Sequence, residues 1–119
     1  MANSESSGER LEELCGRLRS VLADVPPLGA VIEFDLGADG RLLVDARRSP
    51  PDVTPGSGAA ACTLSMRLET LERVLAGEID GTTAFMQGEM TISGDVELAV
   101  RLNELLARAV AGADGAPPG

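Results

Sequence analysis

Apolar residues recur along the first part of the chain at helical spacing. From Glu9 onward Leu11, Leu14, Cys15, Leu18, Val21, Leu22 and Val25 fall mostly three or four residues apart, which predicts an amphipathic helix ending at Pro26-Pro27. Ser6 and Glu9 have the spacing of a capping box, and the polar, Gly/Ser-containing residues 1–8 predict a flexible, frayed start. The period then shortens to two. In Ala30 to Leu36, Ile32, Phe34 and Leu36 alternate with Val31, Glu33 and Asp35, the pattern of a half-exposed strand. Gly37-Ala38-Asp39-Gly40 supplies turn residues, and Arg41 to Arg47 places Leu42, Val44 and Ala46 on one face, so the two segments predict a hairpin. Residues 48–59, with Pro50-Pro51, Pro55-Gly56 and Gly58, predict a loop too rigid and polar to continue either strand. Ala60 to Met66 resumes alternation, with Cys62, Leu64 and Met66 against Ala61, Thr63 and Ser65.

Helical spacing returns at Leu68, Leu71, Val74 and Leu75, and Gly77 stops it. Asp80-Gly81-Thr82-Thr83 has the composition of a turn and helix cap before the short apolar Ala84-Phe85-Met86, which Gly88 closes. Glu89 to Ser93 alternates again, with Met90 and Ile92 on the apolar side. Asp95 then caps a long last helix that carries Leu98, Leu102, Leu105, Leu106 and Ala109 on one face and Glu97, Arg101, Glu104 and Arg108 opposite. Gly112 and the Pro/Gly-rich residues that follow predict a flexible tail over 111–119. Hairpin-type strands interspersed with helices imply an α+β domain, helices on one face of a largely antiparallel sheet. No internal repeat or domain boundary interrupts it.

Composition narrows the chemistry. The 119 residues suffice for one domain, and 10 basic against 19 acidic residues give a net charge of −9. Every basic residue is arginine; histidine, lysine, tryptophan and tyrosine are absent, and Phe34 and Phe85 are the only aromatics. That inventory excludes a Ser-His-Asp triad, a His-ligated metal, a lysine Schiff base and a phosphate-loop lysine. It also lacks the basic surface and stacking platforms of a nucleic-acid binder. The acidic pairs Glu12-Glu13 and Glu33/Asp35 have no convergent partner for acid–base work, so neither a catalytic site nor a cofactor is expected. No apolar run approaches the roughly 20 residues of a membrane-spanning helix. Cys15 and Cys62 lie far apart with no CxxC spacing and are expected as small buried apolar groups.

The run Ala84-Phe85-Met86-Gln87-Gly88-Glu89-Met90-Thr91-Ile92-Ser93-Gly94-Asp95 carries more than periodicity. It resembles the signature of the sterol carrier protein type 2 domain, Ala-Phe-Met-x-Gly-Lys-Leu-Lys-Ile-x-Gly-Asp, which leads into a helix matched here by Leu98-Ala99-Val100-Arg101-Leu102. Upstream, Ala61 to Met66 is similar to the family's third strand and Leu71 to Gly77 to its next helix, so the resemblance spans residues 9–110. It implies a five-stranded sheet under helices enclosing a hydrophobic tunnel, and a small stand-alone, bacterial-type member. Only four strands follow from the pattern; Asp52-Val53-Thr54 is a weak candidate for the fifth.

By the same resemblance Phe34, Leu64, Met66, Met90 and Ile92 would face the tunnel from the sheet. Leu71, Leu75, Leu98, Leu102, Leu105 and Leu106 would line it from the helices, and Phe85 and Met86 would stand at its edge. Each is equally intelligible as ordinary core, since a small domain needs nearly all its large apolar side chains. Gln87 is the polar candidate: an amide in an apolar setting either meets a ligand head group or caps backbone. A tunnel of a few hundred cubic ångströms left dry would cost on the order of 7 kcal/mol, against a net stability of roughly 5–15 kcal/mol. Such a protein holds a ligand or collapses part of the space.

The resemblance implies non-catalytic binding or transfer of a fatty-acyl, isoprenoid or sterol-like lipid. Two alternatives are an accessory role, presenting a polyprenyl quinone-type precursor to partner enzymes, and an interaction or scaffold domain with a vestigial cavity. Glu89 and Thr91 replace lysines common in the family. With the acidic surface, this predicts at most transient contact with anionic membranes and favours an uncharged or weakly charged lipid. A polar start and the ending Ala116-Pro117-Pro118-Gly119, unlike a peroxisomal Ser-Lys-Leu address, lead to a cytoplasmic expectation.

Overall fold

The computed structural model describes residues 2–113, with side chains placed over 9–111. Helix α1 spans Ala2–Val21, followed by strands β1 (Val31–Asp35), β2 (Arg41–Asp45), β3 (Asp52–Pro55) and β4 (Cys62–Met66). Helices α2 (Leu68–Leu75) and α3 (Gly81–Met86), strand β5 (Met90–Gly94) and helix α4 (Val96–Ala113) complete the chain. The helix begins ahead of Glu9, so Ser6 falls inside α1 rather than at a capping position. Of the tail expected over 111–119, residues 114–119 lie outside the described residues.

The sheet has five strands in the order β3-β2-β1-β4-β5. The weak candidate at Asp52-Val53-Thr54 is the fifth strand, which corrects the expectation of an uninterrupted loop over 48–59. Its only apolar side chain, Val53, is fully buried opposite Val44, and at the sheet edge the missing N–H of Pro55 costs little. Arg19 of α1 fixes this edge, donating from Nε (3.1 Å) and Nη2 (2.6 Å) to the Val53 carbonyl. The sheet is mixed: β1 runs antiparallel to β2 but parallel to β4, with Ile32 opposite Cys62 and Phe34 opposite Leu64.

Alternation sorts the two faces. Ile32, Phe34, Leu42, Val44, Val53, Cys62, Leu64, Met66 and Met90 project from one face and are buried under the helices. Glu33, Asp35, Arg41, Leu43, Thr63 and Ser65 project from the other. The connection 56–61 returns from β3 to β4 across that outer face, where a Cβ on Gly58 would stand 3.1 Å from Leu43 Cδ1. Glu33, on the central strand, is left only 7% exposed. Its Oε1 accepts from Thr63 Oγ1 (3.3 Å) and its Oε2 pairs with Arg41 Nη1 (3.6 Å), which also pairs through Nη2 with Asp35 (3.5 Å). The Glu33/Asp35 pair therefore shares one arginine, which offsets one of its two charges. Cys15 and Cys62 are free and buried, and burial pushes both thiols above their ordinary pKa.

Candidate functional site

The second half of the chain builds most of the helical surface that lies beside open space. Leu68, Leu71, Val74 and Leu75 share the buried face of α2, as their spacing dictates. Gly77, at φ +78°, lets the chain turn back so that its N–H reaches the Val74 carbonyl (3.1 Å) and that of Glu78 the Arg73 carbonyl (2.9 Å). Asp80 then caps α3, accepting from the Thr83 N–H at 2.7 Å, and this bond holds its carboxyl below the ordinary carboxylate pKa. At the far end Gly94, at φ +93°, turns β5 into α4, and Asp95 caps α4 through the Leu98 N–H (3.1 Å).

Leu98, Ala99 and Leu102 of α4 are buried in the core cluster with β4 and β5. Beyond them α4 has a cavity on each flank. One, of about 340 Å³, lies between the end of α2, the start of α3 and α4, against Val74, Gly77, Asp80, Gly81, Asn103, Leu106, Ala107, Val110 and Ala111. The other, of about 580 Å³, lies between the end of α1 and α4, against Ser20, Val21, Asp24, Val25, Pro26, Leu105, Arg108 and Ala109. The adjacent residues Leu106 and Leu105 thus face different cavities.

The expected lining residues divide into three groups. Phe34, Leu64, Met66, Leu71, Leu75, Met90, Leu98, Leu102 and Leu106 are buried and packed in the core. Ile92 and Leu105 are partly buried against that core. Phe85 and Met86 are exposed, at 50% and 78%. Gln87 is also exposed and its backbone N–H closes α3 on the Thr83 carbonyl (2.9 Å), so its amide has water rather than the apolar setting expected of it. The buried amide is instead Asn103, 8% exposed, which the sequence reasoning missed. The signal was present: Ala99, Asn103, Leu106 and Val110 form an i, i+4, i+7, i+11 row on α4, and all four are buried.

The chain matches the sequence profile of the SCP-2 sterol transfer family over residues 9–107. It belongs to that family. It is 30% identical over 87 residues to sterol carrier protein 2 of Bos taurus, a match covering 68% of this chain and 16% of that protein's length. Among solved structures, that of palmitated SCP2L2 from Aedes aegypti superposes with a TM-score of 0.67 at 23% identity, covering 81% of this chain and 93% of the other. UbiJ-SCP2, a ubiquinone synthesis protein, superposes with a TM-score of 0.60 at 23% identity over 77% and 88% of the two chains. The sheet, its strand order and the helical layer are accordingly those of an SCP-2 fold. Among the described residues no helix is long and apolar enough to cross a membrane.

Proposed function

We propose that this SCP-2 family chain is a non-catalytic lipid-binding domain over about residues 9–110, taking a fatty-acyl, isoprenoid or sterol-like molecule between its sheet and its helices. The observation that carries the proposal is the pair of cavities flanking the C-terminal half of α4. With a cavity on either side, that half has room to move, and local opening draws on such segments. Moving it would draw Leu105 and Leu106 away from the core and open a way in toward Phe34, Leu64, Met66, Met90, Ile92, Leu98 and Leu102. In the present packing those residues fill the space a ligand would take, and their contacts with one another would be exchanged for contacts with lipid. Leu71 and Leu75 would close the helical side, while the exposed Phe85 and Met86 would stand at the rim. The palmitated Aedes aegypti relative lends support to a fatty-acyl guest.

A second role has one finding in its favour, the structural likeness to UbiJ-SCP2. In that role the domain presents a hydrophobic quinone-type precursor to partner enzymes, and the bound molecule would carry a long isoprenoid tail. Either way the net charge of −9 opposes adhesion to anionic membranes, so exchange would proceed by brief encounters. Extraction of the purified protein followed by mass spectrometry tests the proposal. A co-purifying acyl or isoprenoid lipid, and a rise in Tm on adding it back to stripped protein, is the expected result. Protein that carries no lipid and shows no thermal shift with fatty acids, isoprenoids or sterols would remove it.

A further inference from the structure

The cavity beside α2 and α3 holds a feature that packing alone leaves unexplained. Its walls are Val74, Leu106, Val110 and small residues, yet Asn103 places a primary amide among them. That side chain is 8% exposed, and no described residue hydrogen-bonds to it. An amide has two N–H donors and a carbonyl acceptor, and neither polar atom is sealed off from the cavity, so both are open to the hydrogen bonds of a guest. Leucine has nearly the same shape and would extend the Ala99–Leu106–Val110 row with no polar group at the cavity.

Gly81 is a second, independent observation. It is buried, it starts α3, and a Cβ built on it would overlap the Asn103 amide, standing 2.7 Å from Nδ2. The chain thus has a bare Cα where the amide lies, at a position whose backbone does not itself require glycine, because its φ is not in the left-handed region.

The charge around the amide selects what it can receive. Asp80 is the only charged residue on this cavity wall, and its bond to Thr83 holds it ionised. Arg108 borders the other cavity, across α4. A carboxylate head group here would meet a like charge with no guanidinium to offset it. A hydroxyl or ketone oxygen meets no such penalty; it accepts from the amide N–H, and a hydroxyl also donates to the amide oxygen.

We infer that Asn103, seated over Gly81, is a head-group subsite that selects long-chain lipids bearing an uncharged hydroxyl or carbonyl over lipids bearing a carboxylate. The inference rests on the lipid-binding reading above and specifies which end of the lipid this cavity holds. It assigns Asn103 the role expected of Gln87, whose amide is hydrated.

The test is a nuclear magnetic resonance titration of the stripped protein with decanol, decanoate and decane. The sequence has two asparagines and one glutamine, Asn3, Asn103 and Gln87, so the Asn103 side-chain amide signal is assigned by its loss in Asn103→Leu. Decanol is expected to shift that signal, while decane and decanoate leave it in place. In Asn103→Leu, followed through the Leu106 and Val110 methyl signals, decanol affinity should fall about tenfold and decane affinity should hold. Gly81→Ala keeps the asparagine but displaces its amide, and should weaken decanol binding while sparing decane. Decanoate moving the Asn103 signal as decanol does, or both variants binding decanol like the wild type, would overturn the subsite and leave lipid binding standing. No methyl shift with any of the three probes would overturn the lipid-binding reading itself, and the subsite with it.

Discussion

Leu102 and Leu106 lie one turn apart on α4, are 1% and 3% exposed, and would be ranked alike by burial alone. Their surroundings differ. Both belong to the core cluster, but Leu106 also borders the cavity of about 340 Å³ and Leu102 does not. Replacing either by alanine removes three carbon groups, a transfer loss of about 2.4 kcal/mol. At Leu102 the vacated space has rigid walls and becomes a new void, which raises the cost to about 4 kcal/mol. At Leu106 the vacated space opens onto a void that already exists, so few further contacts are lost and the cost stays near 2.5 kcal/mol. Urea unfolding of ligand-free Leu102→Ala and Leu106→Ala, compared at a common m value, should separate the two by about 1.5 kcal/mol. Equal losses, or the larger loss at Leu106, would refute the claim that α4 is undercut and with it the reason for placing the opening there.

Three further outcomes follow from the geometry. Gly94→Ala combines a φ of +93° with a Cβ 2.5 Å from the Ala61 carbonyl oxygen, whereas Gly37→Ala meets only its φ of +66°. The first should lower stability by well over the roughly 1–2 kcal/mol set by backbone handedness and the second by about that amount, read from denaturation curves. Asp95→Ala removes the cap on α4 and should cost about 1 kcal/mol, with faster amide exchange confined to the first turn of that helix; unchanged exchange there would count against the cap. Asp45, clasped by Arg47 through Nε (2.9 Å) and Nη2 (2.8 Å), has its pKa lowered from 3.8 to about 2. A depressed carboxylate stabilises the fold above its unfolded pKa, so the Tm gap between wild type and Asp45→Asn should be constant at neutral pH, shrink below about pH 4 and vanish near pH 2.

The elements legible in the sequence are those whose side chains sort by period. The α4 stripe, the β1–β2 hairpin and the caps at Asp80 and Asp95 follow from residue spacing alone. The fifth strand was marginal because β3 buries one side chain, Val53, too few to show alternation. The parallel pairing of β1 with β4 was illegible because strand direction is set by where the 56–61 connection travels, and no residue pattern encodes that. The site fared worse for a related reason. In a helix as short as α3 periodicity cannot say which face is outward, so Phe85, Met86 and Gln87 could not be seen to lie exposed. Asn103 is hard to read from the sequence because an asparagine beside the leucines of α4 reads as a solvated position, and only its place in the Ala99, Asn103, Leu106, Val110 row turns it inward.

The parallel β1–β4 pair has a consequence for the order in which the chain becomes organised. β1 and β2 meet through a turn of a few residues, but Ile32 pairs with Cys62, 30 residues further along the chain. Closing that loop carries the larger entropic penalty and comes later. The three-stranded meander β1–β2–β3 with α1 is thus the natural early platform, and β4 is the commitment step that recruits everything downstream. The residues lining the small cavity, its amide among them, all fall within 74–111, on helices that follow β4. A container that finishes on a completed foundation can vary its walls without endangering the floor, and it is in those last-formed walls that changes of ligand preference would be tolerated.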